Sequence, residues 1–444
     1  MSIDAAIAAT RFGLGARPGD IREIADAPRE RLRAQLGPAG EPKALRGLKS
    51  ADEAFGPFAE AYGGGRSQDR EQRREAISQG LSGYADEVAA RTDVAVRTDA
   101  PYQERLVRFW SNHFTVAINK PQMTPLVGPF EREAIRPHTT GKFVDMLLAV
   151  YRHPAMLFYL DNAQSVGPNS PIGARVGRGL NENLAREALE LHTVGVDGGY
   201  TQEDVEEFAR ALTGWSVGSR RLGGRPGTFV YQDRIHEPGR RRVLGRVYRD
   251  RGERQAEEIL KDLAEHPATA RRIARKLATH FIADQPPEDA VRRLERVYRR
   301  TDGDLKALAE ALIDLDVAWS PDARKVKRPE EFLISVWRGL GGSPPAIRAL
   351  TASYLNLGQQ PFRAPSPEGW PDEADAWIGP DAVKKRLEWA QAVAYRFPRV
   401  RPTEFLDTVL GDLARPETRF EVRGADSAAQ GLVLAFMSPE FLRR

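Results

Sequence analysis

Asn181-Glu-Asn-Leu-Ala-Arg-Glu-Ala-Leu-Glu-Leu-His192 is the stretch of sequence that most clearly indicates the fold. At about 100° per residue, the charged and amide side chains from Glu182 to Glu190 share an arc of about 140°, and the leucines, the alanines and the histidine fill the rest. This division is typical of an amphipathic helix packed on a core. Similar periodicity, broken by short Gly/Pro segments, continues along most of the chain. The sequence therefore predicts an all-α, multi-helix protein.

Residues 217–248 depart from the helical pattern. Gly-rich turns separate Thr-Phe-Val-Tyr at 228–231 from Arg-Val-Leu-Gly at 242–245, which predicts a small β-hairpin. We expect this segment to divide the chain into two helical lobes. The predicted units are an N-terminal lobe at 1–215 carrying the candidate site, a hairpin and loop insertion at 216–250, and a C-terminal lobe at 251–444.

Composition excludes several classes of protein. The 444 residues contain no cysteine, so disulfides, thiolate metal sites and cysteine nucleophiles are excluded. The 66 Lys and Arg residues are interleaved with 62 Asp and Glu residues, and we expect no nucleic-acid partner. No apolar run approaches the roughly 18 residues of a membrane helix. The N-terminal residues lack the pattern of a signal peptide, which predicts a soluble cytoplasmic protein. No feature indicates an oligomeric state.

The polar face of the quoted helix is the main candidate for chemistry. Glu187 and Glu190 are neighbours at i,i+3, close enough to raise each other's pKa and to share acid and base roles. Asn183 and Arg186 would orient a polar substrate beside them. The alternative is purely structural, because Glu182–Arg186 and Arg186–Glu190 are also i,i+4 ion pairs of an ordinary helix surface.

Three histidines are candidates for a role in chemistry. His113 and His192 lie on the apolar faces of two different helices, where a buried, hydrogen-bonded imidazole is the default interpretation. If they meet near Glu187 or Glu190, a His/carboxylate metal site follows. His236 follows the predicted hairpin strand in a Gly/Pro-bounded loop that can present an imidazole to a cleft. The other four are predicted to be structural: His138, His153, His266 and His280.

Several motifs resemble a bacterial family known only as a domain of unknown function, the eighteen-hundred series. They include Arg-Phe-Gly-Leu-Gly at 11–15, Phe-Trp-Ser-Asn-His-Phe at 109–114, the 153–162 segment and, most specifically, Asn-Glu-Asn-Leu-Ala-Arg-Glu followed by Glu-Leu-His-Thr within 181–193. Ala188 stands where the resemblance leads us to expect leucine. The resemblance covers nearly the whole chain. It implies that many relatives are exported and encoded beside sulfatase-like hydrolases, so a periplasmic location and a glycan or envelope polymer are the expectations it adds.

The residues and the resemblance together give one candidate site and three hypotheses. The catalytic candidates are Glu187, Glu190, His192, His113 and His236. The substrate-binding candidates are Asn112, Asp161, Asn162, Asn181, Glu182, Asn183 and Arg186. The first hypothesis is a hydrolase or lyase with a helix-lined cleft for a polar, glycan-type substrate or polymer. The second is a non-enzymatic scaffold or binding protein whose motif is a structural network. The third is an enzyme dependent on a divalent metal, and the sequence leaves the choice open.

Overall fold

The computed structural model describes residues 2–37, 40–63, 70–176, 179–219, 222–322 and 325–444 of the chain. Helices dominate these ranges, so the prediction of an all-α fold is confirmed. Helices α1 to α12 are Ile3–Ile7, Asp20–Glu23, Pro28–Ala34, Ala51–Gly63, Arg70–Arg97, Pro101–His113, Val127–Phe130, Phe143–Arg152, Pro154–Tyr159, Gly173–Val176, Asn183–Glu187 and Gln202–Leu212. Helices α13 to α22 are Glu253–Glu265, Pro267–Phe281, Glu288–Arg300, Leu305–Ile313, Pro329–Gly339, Ile347–Leu357, Pro380–Ala394, Pro402–Leu410, Pro416–Arg423 and Ala428–Phe436.

Helix starts follow the local sequence closely. The Thr201 hydroxyl accepts from the backbone N–H of Asp204, and the Asp204 carboxylate accepts from that of Thr201, so the two residues form a capping box. His153 and His266 cap α9 and α14, each accepting a backbone N–H two residues on. Their predicted structural role is therefore confirmed. A proline follows each of them at the first helical position, where its missing N–H costs nothing.

The chain between α12 and α13 forms two hairpins where the sequence suggested one. Strands β1 (Trp215–Val217) and β2 (Phe229–Tyr231) pair antiparallel, and β3 (Arg241–Val243) pairs with β4 (Arg246–Tyr248). The predicted pairing of 228–231 with 242–245 is therefore wrong. Leu244 and Gly245 both have positive φ, the conformation of a two-residue type I′ turn, so β3 turns back at once onto β4.

Three α-helices in the described ranges continue directly into a π-helical turn. These turns are Ala8–Phe12 after α1, Glu131–Ile135 after α7 and Ala188–His192 after α11. A π-turn replaces i→i+4 hydrogen bonds by i→i+5 bonds, is rare, and is found disproportionately at functional sites. The third one falls inside the stretch that the sequence analysis singled out.

The core draws on both ends of the sequence. Phe12 lies with its ring centroid 5.5 Å from that of Tyr102 and 6.0 Å from that of Phe281, and all three are fully buried. Buried side chains from both sides of the hairpin segment belong to this one cluster. The division into two lobes at 216–250 stays a prediction. In the part of the chain that the structure describes, no helix is both long and apolar enough to span a membrane.

Candidate functional site

The site is built on α11 and the π-turn that extends it. The Asn181 side chain accepts the backbone N–H of Asn183 at 2.9 Å, which satisfies a donor at the start of α11, and the Asn181 N–H donates to the Ser165 hydroxyl. At the far end, Gly195 adopts a positive φ and its N–H donates to the carbonyl of Leu189. Asn181 therefore fixes the position of the helix, and Asn183 itself is exposed.

Two side chains of the polar face form a closed hydrogen-bonded cluster with a side chain of α12. Arg186 donates to the carboxylate of Glu182 at 2.9 Å and to the side-chain oxygen of Gln202 at 2.9 Å, and the Gln202 amide donates to the same Glu182 carboxylate. The ion pair that the sequence suggested between Arg186 and Glu190 does not form. The helix widens into the π-turn after Glu187, and residues four apart no longer stack across that junction.

Glu187 and Glu190 remain outside that cluster. Within the described residues, neither carboxylate has a cationic group within 4 Å, and both side chains are only partly buried. The one hydrogen bond to the pair is long, 3.4 Å from the Tyr200 hydroxyl to Glu190. Burial raises the pKa of Glu187, and the nearby Glu190 charge raises it further. The pair is therefore an uncompensated negative site with solvent access.

Helix α14 supplies two cations to this site. The Arg272 Nε donates to the carbonyl of Leu191 at 3.1 Å, which places its guanidinium against the end of the π-turn. Lys276 lies one turn further along α14 and forms no hydrogen bond or ion pair with any residue the structure describes. Burial lowers the pKa of both groups, and for Lys276 the neighbouring Arg272 lowers it further, to about 8. The hydrogen bond from Arg272 to Leu191 joins α14 to the π-turn here, and the Glu190 charge opposes the lowering of the Arg272 pKa.

A loop between α18 and α19 completes the site with Glu368. This exposed carboxylate contributes to the raised pKa of Glu187 and opposes the lowered pKa of Lys276. The loop is held by Asn112, whose side-chain amide donates to the Trp370 carbonyl and accepts the Trp370 N–H, both at 2.8 Å. A Cβ on Gly369, which has φ +92°, would lie 2.5 Å from the carbonyl oxygen of Asn112. Asn112 therefore positions this loop.

His113 and His192 meet beneath the site, as their places on the helical wheels suggested. Their ring centroids are 6.1 Å apart, and the two side chains are 1% and 0% exposed. The His113 Nε2–H donates to the carbonyl of His192 at 3.1 Å, and the His192 Nδ1 shares a 2.8 Å hydrogen bond with the Tyr151 hydroxyl. Burial lowers the pKa of both, to about 3 for His192. Both rings are therefore neutral at pH 7, and the hydrogen bond from His113 holds the end of the π-turn.

Two further predicted residues have partners of their own. The Asp161 carboxylate binds Lys120 at 2.6 Å, and Asp161 takes a positive φ of 60° at the end of α9. The Asn162 amide donates to the carbonyls of Leu212 and Trp215 at 3.2 and 2.9 Å. These contacts anchor the start of β1, and none of them joins Asp161 or Asn162 to Glu187.

His236 is also occupied by local contacts. Its Nδ1 donates to the carbonyl of Thr213 at 2.8 Å, and its Nε2 lies 3.8 Å from the Asp250 carboxylate. The imidazole is buried and ties the β2–β3 connection to the end of α12. The structure therefore places His236 in the scaffold of the hairpin region, with no contact to the Glu187 site.

Comparison with models of known protein families gives a match to "Protein of unknown function (DUF1800)" over residues 7–443. The chain belongs to this family. No curated protein and no solved structure matches it. Membership of the DUF1800 family confirms the resemblance seen in the sequence and carries no reaction with it, so function has to be argued from the site.

Three residues of the candidate site were not predicted from the sequence: Arg272, Lys276 and Glu368. Arg272 and Lys276 are four apart on one face of α14, and His280 follows at the same spacing. That spacing is visible in the sequence, but arginine and lysine are common on helix faces throughout this chain, so it did not distinguish these two residues. Glu368 belongs to a loop whose position depends on the distant Asn112.

His280 is buried and structural in its contacts, as predicted. Its Nδ1 shares hydrogen bonds of 2.9 and 3.1 Å with the Asp372 carboxylate. Burial lowers the pKa of this histidine to about 3, even though Asp372 opposes the shift. The contact ties α14 to the same loop that carries Glu368.

A metal centre is not assembled from the predicted ligands. Across the described ranges, no three His, Asp and Glu side chains converge in a way that could hold a metal ion. His113 and His192 do meet, but His113 donates to a backbone carbonyl and the nearby carboxylates do not join the two rings. The donor set for a metal therefore does not fit at this place.

Proposed function

We propose that this chain is an enzyme that uses Glu187, Glu190 and Lys276 as acid and base groups on an anionic polar substrate, such as an acidic glycan. The single observation that carries the proposal is an unpaired carboxylate pair on the helix end against which α14 places Arg272, with the unpaired Lys276 one turn further along α14. Burial and Glu190 raise the pKa of Glu187, and burial lowers the pKa of Lys276 to about 8, so both groups shift toward the pH range in which acid and base catalysts work.

The arrangement suits cleavage of a glycosidic bond. In hydrolysis, Glu187 with its raised pKa donates a proton to the leaving oxygen, and Glu190 accepts a proton from the attacking water. In elimination, Arg272 neutralises a substrate carboxylate, the amine of Lys276 removes the proton from the carbon next to it, and Glu187 in its acid form protonates the leaving oxygen as the C–O bond breaks and the C=C bond forms. Both routes use Glu187 as the proton donor, and elimination also needs a substrate carboxylate against Arg272.

The cations favour an anionic substrate over a neutral one. Arg272 and Lys276 have no carboxylate within 4 Å in the described part of the chain, although Glu190 and Glu368 lie near enough to affect their pKa values. A bound carboxylate or sulfate would supply the missing partner of Arg272 and restore the usual pKa of Lys276.

A non-enzymatic scaffold is the second candidate, and one observation favours it. The closed cluster of Glu182, Arg186 and Gln202 links α11 to α12 as a structural network would. The hypothesis accounts for that half of the motif, and it leaves Glu187, Glu190 and Lys276 without a stabilising role.

The test is an activity screen on neutral and acidic polysaccharides with matched variants. Reducing ends report any cleavage, and ultraviolet absorbance of an unsaturated product reports elimination only. We expect Glu187→Gln to abolish cleavage by either route and Lys276→Met to abolish elimination, both with folding intact, since removing a general acid or base costs about 10²–10⁴-fold in rate. Glu203→Gln, an exposed carboxylate on α12, is the control and keeps full activity. Cleavage that survives both site variants would refute the assigned roles, and no cleavage of any polymer would favour the scaffold.

A further inference from the structure

A second polar cavity lies away from Glu187, behind the loop that Asn112 holds. It is enclosed by α5, α6, the start of α17 and residues 359–370, and its volume is about 460 Å³, part of it open to solvent. The space that water-sized molecules can occupy in it is about 40 Å³, against the roughly 10–15 Å³ that one ordered water requires by the same measure, so it has room for more than one water molecule. Its lining is mostly polar, and it includes three arginines, Arg91, Arg108 and Arg328.

Arg91 and Arg108 form the well-paired side of the cavity. Both guanidiniums donate to the same oxygen of Glu330, and Arg91 also donates to Glu131 at 2.7 Å. Arg108 donates in addition to the backbone carbonyl of Arg91 at 3.0 Å. These bonds fix the two guanidinium planes, so their orientation is set before any ligand arrives.

Arg328 is the exception among the three. Its side chain is 4% exposed, and its guanidinium forms no hydrogen bond with any residue that the structure describes. The nearest carboxylates, Asp372 and Glu331, lie at 3.8 and 3.9 Å, beyond hydrogen-bond distance. A buried guanidinium without a hydrogen-bonded partner is costly, and buried charges in native proteins are ordinarily paired. The donors of Arg328 therefore indicate a partner that is not part of the chain.

The wall opposite the arginines is held rigidly. Phe362 adopts a left-handed φ of 57°, which is strained for a bulky residue, and its carbonyl accepts the N–H of Ile118 at 3.0 Å. The Tyr84 hydroxyl donates to the Pro361 carbonyl at 3.0 Å, and Asn112 holds the backbone of Trp370. Strain of this kind persists only where surrounding contacts impose it, and it clusters at ligand sites.

We propose that this cavity binds a small oxyanion, either a free phosphate or sulfate or the same group on a larger ligand, with Arg328 as its principal donor. Three guanidiniums line the space against one carboxylate, Glu330, and the Arg328 donors that have no hydrogen-bonded partner among the described residues, rather than net charge, would hold an anion with two or more oxygens. Planar guanidinium forks match the oxygens of such groups by paired hydrogen bonds. The site does not depend on the activity proposed for Glu187.

The charges that the site needs persist at neutral pH. Burial lowers the pKa of Arg328, but Asp372 and Glu331 outweigh it and hold the pKa above its usual value. Burial raises the pKa of Glu330, but Arg108 and Arg91 outweigh it and keep that carboxyl ionised. The cavity therefore presents fixed charges at Arg328 and Glu330.

The test is calorimetric titration of the full chain with inorganic phosphate, sulfate and acetate at matched ionic strength. We expect saturable binding of phosphate or sulfate, and at least about tenfold weaker binding by Arg328→Gln, because a charge-assisted donor is lost. Arg363→Gln, an exposed arginine of the same loop outside the cavity lining, keeps the parental affinity.

A second pair of variants protects the test against misfolding of Arg328→Gln. Ala364 lines the cavity and is partly exposed, so Ala364→Glu places a competing carboxylate there, and Ala364→Gln matches its size without the charge. Loss of binding in the Glu variant with binding kept in the Gln variant supports the proposal. No saturable binding of any of the three anions, or equal binding by both Ala364 variants, would overturn it. Which of the three anions binds most tightly distinguishes a tetrahedral from a planar oxyanion.

Discussion

Replacement of Lys276 by methionine is expected to stabilise the protein at neutral pH. Methionine has nearly the length of lysine and suits a partly buried site, and the variant removes an amine that has no ion pair among the described residues. Loss of a paired lysine would instead destabilise. The direction of the effect therefore separates a functional site from a structural one, because active-site groups are commonly held at a cost in stability.

The magnitude follows from the pKa of Lys276. Burial and Arg272 lower it from 10.5 to about 8. Each pKa unit corresponds to about 1.4 kcal/mol, so the charged amine costs the folded state up to about 3 kcal/mol. Because the side chain is partly exposed, solvent screening reduces this figure, and we expect a gain of about 1–3 kcal/mol for the variant at pH 7.

The pH dependence of the gain is the sharper measurement. Below pH 8 the lysine is charged in both the folded and the unfolded states, so the full cost is present. Between pH 8 and pH 10.5 the unfolded chain binds more protons than the folded one, and the parental protein gains stability as the pH rises. The advantage of Lys276→Met should therefore shrink across this interval and vanish above it.

Urea unfolding of both proteins at pH 7, 9 and about 10.5 tests this, since the free energy of unfolding falls linearly with denaturant. Lys384→Met is the control, because the Lys384 side chain is 73% exposed and its nearest carboxylate is 3.8 Å away. A Lys276→Met protein less stable than its parent at pH 7, or a difference that is the same at all three pH values, would refute the reasoning.

Three further outcomes are expected. Glu187→Gln should be more stable than the parent at pH 7, because the raised pKa of Glu187 makes its ionised form unfavourable in the folded state; in urea unfolding the gain should disappear once the pH falls below 4.5. Asn112→Ala should lose about 1–3 kcal/mol, the worth of two hydrogen bonds, seen as a lower melting temperature and faster proteolysis near Trp370. Glu331→Gln should cost about 3–5 kcal/mol in urea unfolding, because it leaves buried Arg105 without its carboxylate.

The helical fold could be predicted from the sequence because its causes are local. The capping box at Thr201 and the histidine caps at His153 and His266 depend on residues two or three positions apart, and the structure contains all three. Burial of His113 and His192 also followed from helical periodicity alone. The hairpin pairing was missed because β1 directly follows α12, and a three-residue apolar strand there is hard to distinguish from a helix end.

The candidate site could be predicted only in part, because half of its residues are far from Glu187 in the sequence. The Glu187 and Glu190 neighbours are a property of one helix, but Arg272, Lys276 and Glu368 reach them through tertiary packing. The π-turn was not predictable either. The carbonyls of its last two residues, Leu191 and His192, accept from Arg272 and His113, residues about 80 positions away on other helices.

The π-turn breaks the spacing that would have let Arg186 neutralise Glu190. At its end, the carbonyls of His192 and Leu191 accept hydrogen bonds from α6 and α14, and the second of these bonds places Arg272 against the turn. Elsewhere in the described residues, several buried carboxylates are matched by arginines, as Glu331 is by Arg105. Arg186 is next to Glu187 in the sequence, but its guanidinium pairs with Glu182. An uncompensated carboxylate pair in an arginine-rich protein is thus a product of backbone geometry, and it is the strongest physical reason to look for catalysis there.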